Sequence, residues 1–224
     1  MSVRGFYGRY AGLYDRIATF PGVGRWRRAA ARSLDLAAGD VVVEFGCGSG
    51  ANLPYLREQV GPEGQVVGVD FTRPLLAHAR QRAPDAHLVC GDATSPPVER
   101  ADAVLGTFVC GMFTAPDTVV ADWCSLLDDG GRVALMDATT SPHPVGRGLN
   151  PAFRAFARGT APAASTLEAA RAALSGEADT ALDDRVALAR RALVDRTHDR
   201  RFERFGLGFV GLLSGTVDRS TPGG

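Results

Sequence analysis

The sequence predicts an α/β fold, a mostly parallel sheet wound on both faces by helices, and three observations predict it. Short apolar runs alternate with helical stretches from residue 41 to residue 137, joined by only a few residues each, and that alternation with short links produces right-handed crossovers between parallel strands. The first run, Val41-Val42-Val43, places three β-branched residues in a row, as a strand buried on both faces requires. A glycine loop, Gly46-Cys47-Gly48-Ser49-Gly50, follows at once and leads into a helix over Ala51 to Glu58. In such sheets that junction is the corner where a nucleotide-like ligand lies against a helix N-terminus.

The spacing inside the loop narrows the ligand. A dinucleotide fingerprint puts its third glycine three residues after the second, beside a pyrophosphate. Here Gly50 follows Gly48 by two, and Glu44 stands two residues before Gly46. A carboxylate there repels phosphate and favours a cation, so the expected ligand has a positively charged end and no phosphates.

The remaining elements follow in order. Phe6, Tyr10, Leu13, Tyr14 and Ile17 recur at spacings of three and four and predict an amphipathic helix over 6–19, weakened by Gly8 and Gly12. After Pro21-Gly22-Val23-Gly24, a second helix is expected over Arg25 to Leu36, with Trp26, Ala29, Ala30 and Leu34 inward and Arg25, Arg27, Arg28 and Arg32 on a solvated face. Gly61 to Gly64 reads as a turn, and Gln65 to Asp70 as a second strand ending in an acid. An acid at that position is placed to accept hydrogen bonds from both hydroxyls of a ribose, and Phe71 beside it can lie against a purine face.

A helix from Thr72 to Arg80, a third strand over Ala86 to Cys90 and a fourth over Ala101 to Phe108 continue the pattern. Pro116 to Leu127 reads as a helix closed by Asp128-Asp129-Gly130-Gly131, and Arg132 to Asp137 as the fifth strand. Beyond it, Ser141 to Pro151 reads as a loop, with a short helix carrying Phe153 and Phe156, a linker at 159–165, helices at 166–174 and 180–195, and a final hairpin from Arg201 to Gly215. Glu44, Asp70, Asp92 and Thr107 all fall at the carboxyl ends of strands, the edge where this architecture binds ligands.

The stretch Glu44-Phe45-Gly46-Cys47-Gly48-Ser49-Gly50 resembles motif I of the class I S-adenosylmethionine-dependent methyltransferases, and residues 10 to 138 resemble the type 11-like members that act on ubiquinone and menaquinone precursors. S-adenosylmethionine meets the electrostatic demand, with an ammonium, a sulfonium and no phosphate. The resemblance implies a Rossmann-like, seven-stranded sheet with N-terminal lid helices, a helical insertion near the C-terminus and a closing antiparallel hairpin. It implies S-adenosyl-L-methionine as cofactor, held by Tyr14 of the lid and by Glu44, Gly46, Cys47, Gly48, Asp70 and Phe71. Gly91-Asp92-Ala93 resembles motif II, which sets Asp92 and Ala93 against the adenine. Thr107 and Phe108 then face the methionine portion and the acceptor. Leu126 to Val133 resembles the closing L-x-P-G-G motif with Asp129 in the proline's place. No residue is assigned a catalytic role; Asp137 and His143 are placed for a general base only by their proximity to the fifth strand.

Composition sets the outer bounds. The 224 residues suit one domain, divided into lid helices at 1–37, a cofactor-binding core at 38–138 and an acceptor-side cap with closing hairpin at 139–216. Twenty-five arginines and no lysine balance 25 acids, which offers no general field for nucleic acid. The four cysteines form no C-x-x-C pair and stand at no metal-ligand spacing with histidine, so neither a metal site nor a disulfide framework is expected. No signal-like segment and no apolar run of about eighteen residues occurs, and the expectation is a soluble, cytoplasmic protein. Its acceptor is expected to be a small molecule, quinone-like or lipid-like if the aromatic patches at Phe153, Phe156 and Phe209 serve a membrane-surface contact. The rival readings are a non-catalytic module that binds S-adenosylmethionine and a nicotinamide-dependent oxidoreductase.

Overall fold

The computed structural model describes residues 22–160 and 178–218. Seven strands form one sheet in the order β3-β2-β1-β4-β5-β7-β6. Strands β1 (Val41–Phe45), β2 (Gln65–Asp70), β3 (His87–Cys90), β4 (Ala101–Thr107) and β5 (Leu127–Ala138) run parallel, and β6 (Thr197–Phe205) and β7 (Val210–Val217) close the sheet antiparallel. β1 is the middle one of the five parallel strands, its Glu44 registered against Gly68 of β2 and Leu105 of β4.

Alternation along the strands sorts the core into two layers. Val42, Val66, Leu105, Met136 and Leu212 point to one face, where they meet α1 (Val23–Arg32), α2 (Leu53–Val60) and α3 (Arg73–Arg82). Val43, Phe45, Val104, Leu135 and Leu213 point to the other, under α4 (Pro116–Ser125) and α6 (Ala178–Val194). Period-two alternation on both sides of a central sheet is what winds helices onto both faces. Phe45 stacks on Trp123 with ring centroids 4.8 Å apart, and the Trp123 indole donates to the Ala93 carbonyl at 2.8 Å. That bond satisfies the ring nitrogen of a fully buried tryptophan.

The structure corrects the sequence reading in three places. Arg27 does not belong to a solvated face: it is 6% exposed, and its spacing from Ala30, Ala31 and Leu34 puts it on the stripe that α1 buries. Residues 144–151, expected as loop, open a long helix α5 (Pro144–Thr160). Pro144 occupies the first turn, where its missing N–H costs nothing, and a Cβ on Gly146 would come within 2.2 Å of Ser141 Oγ and 2.5 Å of the Leu207 carbonyl, so the glycine marks close packing instead of a turn. The turn Asp128 to Gly131, expected to precede the fifth strand, is absorbed into β5 as an irregularity opposite Ala101 and Ala103. The expected helices at 6–19 and 166–174, with Tyr10 and Tyr14, lie outside the described residues.

Candidate functional site

The glycine loop leaves β1 and is pinned to the end of β2, where Gly46 and Cys47 donate their backbone N–H groups to the Val69 carbonyl at 2.8 and 3.1 Å. Its two outer glycines are packing positions: a Cβ on Gly46 would meet Val109 Cγ2 at 2.7 Å, and one on Gly50 would meet Ala79 at 2.9 Å. Gly48 differs. Its φ, +53°, is left-handed like theirs, a conformation that costs an L-residue energy, but a Cβ there would meet nothing within 4 Å among the described residues. Among the described residues nothing stands over the Gly48 backbone, so a ligand can come close to the chain there.

Asp70, at the end of β2, carries the loop. Its Oδ2 accepts from the Gly48 N–H at 2.9 Å and its Oδ1 from the Thr72 N–H at 2.7 Å. A carboxylate accepts about four hydrogen bonds, and the Thr72 hydroxyl also acts on this one, so acceptor capacity beyond these contacts remains for a ligand hydroxyl. Burial raises the Asp70 carboxyl above its usual range, and the two backbone donors and the Thr72 hydroxyl oppose that rise. Phe71 follows, half-buried.

Glu44 lies deeper than the sequence suggests. It is fully buried, and its Oε1 accepts from the Asn52 side-chain amide and, at 3.2 Å, from the Thr107 hydroxyl. The same amide nitrogen reaches Thr107 Oγ1 at 2.8 Å, while the Asn52 oxygen accepts from Arg27 Nη1 at 2.9 Å. Glu44 Oε2 is buried without a hydrogen-bond partner. Burial pushes the Glu44 carboxyl up to about 7, against the pull of the Asn52 bond and the Arg27 charge. The result is a relay, Arg27–Asn52–Glu44–Thr107, from α1 through the first turn of α2 to the ends of β1 and β4.

Asn52 and Arg27 are the site members that sequence reasoning missed. A signal existed for both. Asn52 is a polar residue two positions after Gly50, at the N-cap of α2, and Arg27 shares its helical stripe with three buried apolar residues.

The other expected residues are placed less uniformly. Cys47 is buried against the sheet, close enough that a Cβ on Gly68 would lie 2.9 Å from its sulfur, and burial raises its thiol well above the usual range. Asp92 is exposed and turned into its own loop, where its Oδ1 accepts from the Thr94 N–H at 2.9 Å and hydroxyl at 2.8 Å. Ala93 is buried behind it. Phe108 is 38% exposed, with φ +57°. Its N–H donates to Met136 at 2.7 Å, so a left-handed non-glycine residue is held at the end of β4.

Asp137, considered for a general base, is 2% exposed and accepts from the Cys110 N–H at 3.3 Å. It braces the loop after β4. His143 is exposed on the loop beyond β5. No cluster of metal-ligating side chains occurs among the described residues.

Comparison with known proteins agrees with this geometry. Residues 42–131 match the family model described as a methyltransferase domain. The chain is 29% identical over 147 residues to demethylmenaquinone methyltransferase of Oceanobacillus iheyensis, covering 62% of this chain and 61% of the relative. It is 34% identical over 146 residues to nocamycin O-methyltransferase of Saccharothrix syringae, covering 61% of this chain and 51% of the relative. The matched region thus spans less than two thirds of the length of either relative. In fold, the chain superposes on magnesium protoporphyrin IX methyltransferase of Synechocystis PCC 6803, solved with bound SAH, with a TM-score of 0.64 at 15% identity, covering 96% of this chain and 98% of the other. Residues 42–131, which include the glycine loop, Glu44 and Asp70, thus match a methyltransferase-domain model, and the chain shares its fold with magnesium protoporphyrin IX methyltransferase.

Proposed function

We propose that this protein transfers a methyl group from S-adenosylmethionine to a nucleophilic atom of a small, quinone-like or otherwise hydrophobic acceptor. The observation that carries the reading is the pairing of the uncovered Gly48 backbone with Asp70, whose remaining acceptor capacity suits a ribose hydroxyl. When bound, the donor supplies a sulfonium methyl open to in-line attack. The chain's own residues bind and orient. Asp70 takes the ribose hydroxyls and holds Gly48 in register. Glu44, sealed beneath the loop, acts on a cationic ligand through Asn52 and Thr107 and through its field, which burial strengthens. Phe108 presents an aromatic face at the end of β4, and Tyr14, Phe71, Asp92 and Ala93 complete the adenine and lid contacts that the family resemblance implies. Positioning and exclusion of water are the main demands of such a displacement.

The acceptor class rests on the relatives, which are named for demethylmenaquinone and nocamycin, and on exposed Val145, Leu149 and Phe156 along α5 beside Arg147, a surface suited to peripheral contact with a membrane. No helix among the described residues is long and apolar enough to cross one. The balanced charge supports a small acceptor over nucleic acid. Four free thiols, three of them buried as small apolar residues, support a cytoplasmic setting. We assign residues 38–138 to cofactor binding and 139–216 to the acceptor side within one domain.

Titration calorimetry with S-adenosylhomocysteine and with NADH tests the donor site, and an acceptor screen with methyl-labelled donor tests transfer. S-adenosylhomocysteine binding together with label in a quinol or phenol is the expected result. NADH binding alone would return the oxidoreductase reading, and donor binding without transfer to any acceptor class would leave only a binding module.

A further inference from the structure

A groove of about 420 Å³ opens between the start of α1, the loop after β5 and the β6–β7 turn, lined by Arg25, His143, Arg204, Phe205, Leu207 and neighbouring glycines. It lies on the ligand-binding edge of the sheet. Ala138, the last residue of β5, pairs with Val210, so the turn joining β6 to β7 projects past the carboxyl end of the parallel strands, and Thr139 donates to the Phe209 carbonyl at 2.8 Å.

The groove's shape is built in. Gly206, Leu207 and Gly208 take φ of +58°, +56° and +88° in succession, an arrangement that strains Leu207. A Cβ on Gly206 would lie 3.1 Å from the Trp26 ring, and one on Gly208 would lie 2.8 Å from Ser141 Oγ. The turn therefore packs down onto α1 and the β5 loop, and Phe205 stacks on Trp26 with centroids 6.1 Å apart to make an aromatic wall.

The charge is one-sided. Among the described residues no carboxylate lines the groove, and neither Arg25 nor Arg204 forms an ion pair with one. Arg204 is oriented in advance, its guanidinium 4.9 Å from the centroid of the Phe202 ring and 3.5 Å from the Gly208 carbonyl oxygen that accepts from it. Two guanidiniums beside an aromatic wall match a planar ring that bears an anionic oxygen.

We infer that this groove binds the anionic end of the methyl acceptor, a carboxylate or ionised hydroxyl on an aromatic ring. The inference deepens the methyl-transfer reading and rests on it for the word acceptor, but the anion site itself does not need it. The probe is the pair 2-naphthoate and 2-naphthamide, equal in shape and different in charge, titrated calorimetrically into the full chain with and without S-adenosylhomocysteine.

Charge-assisted hydrogen bonds in the groove should make the carboxylate bind about tenfold more tightly than the amide. The preference should vanish in Arg204→Gln and in Arg25→Gln, while S-adenosylhomocysteine affinity stays at the wild-type value in both. Arg25 is exposed and outside the core, so its variant tests the site without threatening the fold. Equal binding of the two naphthalenes, or a preference that survives both substitutions, overturns the inference. An intact preference in a protein that fails to bind S-adenosylhomocysteine would sink methyl transfer and leave the anion site standing.

Discussion

The side-chain amide of Asn52 donates to the Glu44 carboxyl from the first turn of the helix that the glycine loop feeds. Because the Asn52 oxygen accepts from Arg27, one neutral side chain holds a buried cation and a buried acid together without direct contact. Such an arrangement gives each charged group a partner while leaving the acid's second oxygen unmatched.

Replacing Asn52 with leucine is therefore expected to destabilise the protein by roughly 2–4 kcal/mol, since it strips partners from two buried charged groups at once. Thermal and urea unfolding measure this. Asn52→Asp should cost less at low pH than at high pH, because an added carboxylate beside Glu44 repels it only when both are ionised.

Glu44 makes folding depend on pH in a direction opposite to that of a salt-bridged acid. Its carboxyl is raised from 4.5 to about 7 in the fold, so between those values the folded state binds more protons than the unfolded one, and stability falls as pH rises through that window. Glu44→Gln should flatten this dependence and raise the melting temperature at pH 8. A wild-type profile that rises from pH 5 to pH 7, with no change in the variant, would show that Glu44 is ionised in the fold.

Binding of a cationic donor at the loop should favour the ionised form of Glu44 and release protons near pH 6. Calorimetry of S-adenosylmethionine binding in two buffers of different ionisation enthalpy reads the proton count directly, and S-adenosylhomocysteine, which lacks the sulfonium charge, should release fewer. We expect a release that is smaller in Glu44→Gln.

Asp70→Ala removes the acceptor for the Gly48 and Thr72 N–H groups as well as the proposed ribose contact. S-adenosylhomocysteine affinity should fall at least tenfold, about the value of one charge-assisted hydrogen bond to a ligand. Unchanged affinity would count against the site.

Phe108 holds a left-handed backbone with its ring partly exposed. Phe108→Gly should change the melting temperature little, since the ~1–2 kcal/mol of backbone strain that glycine relieves offsets the burial lost with a ring that is already 38% exposed. Methyl transfer should fall in the same variant. A clear loss of stability would mean that the ring, despite its exposure, is packed into the fold.

Much of this molecule was legible along the chain. The strand at Val41, the left-handed glycines, the acid ending β2 and the final hairpin are consequences of side-chain alternation and of which residues tolerate positive φ. Both are properties of a few neighbouring residues. The Pro- and Gly-rich stretch at 144–151 was misread for the same reason. Its composition signals a turn in isolation, and only contact with Ser141 and the Leu207 carbonyl makes Gly146 a packing residue inside a helix.

The order of elements, the parallel core and the acids at its carboxyl edge were thus determined by sequence alone, because each depends on local geometry and on a hydrophobic period. What tertiary structure decided was depth: α1 packs so that Arg27 turns inward while Arg25 stays in solvent, and Asn52 with Thr107 seals Glu44 from water. Burial belongs to no single residue. It is set by what the other elements bring against it, and here that sets the Glu44 carboxyl near 7 and leaves the basic groove open at the sheet's edge.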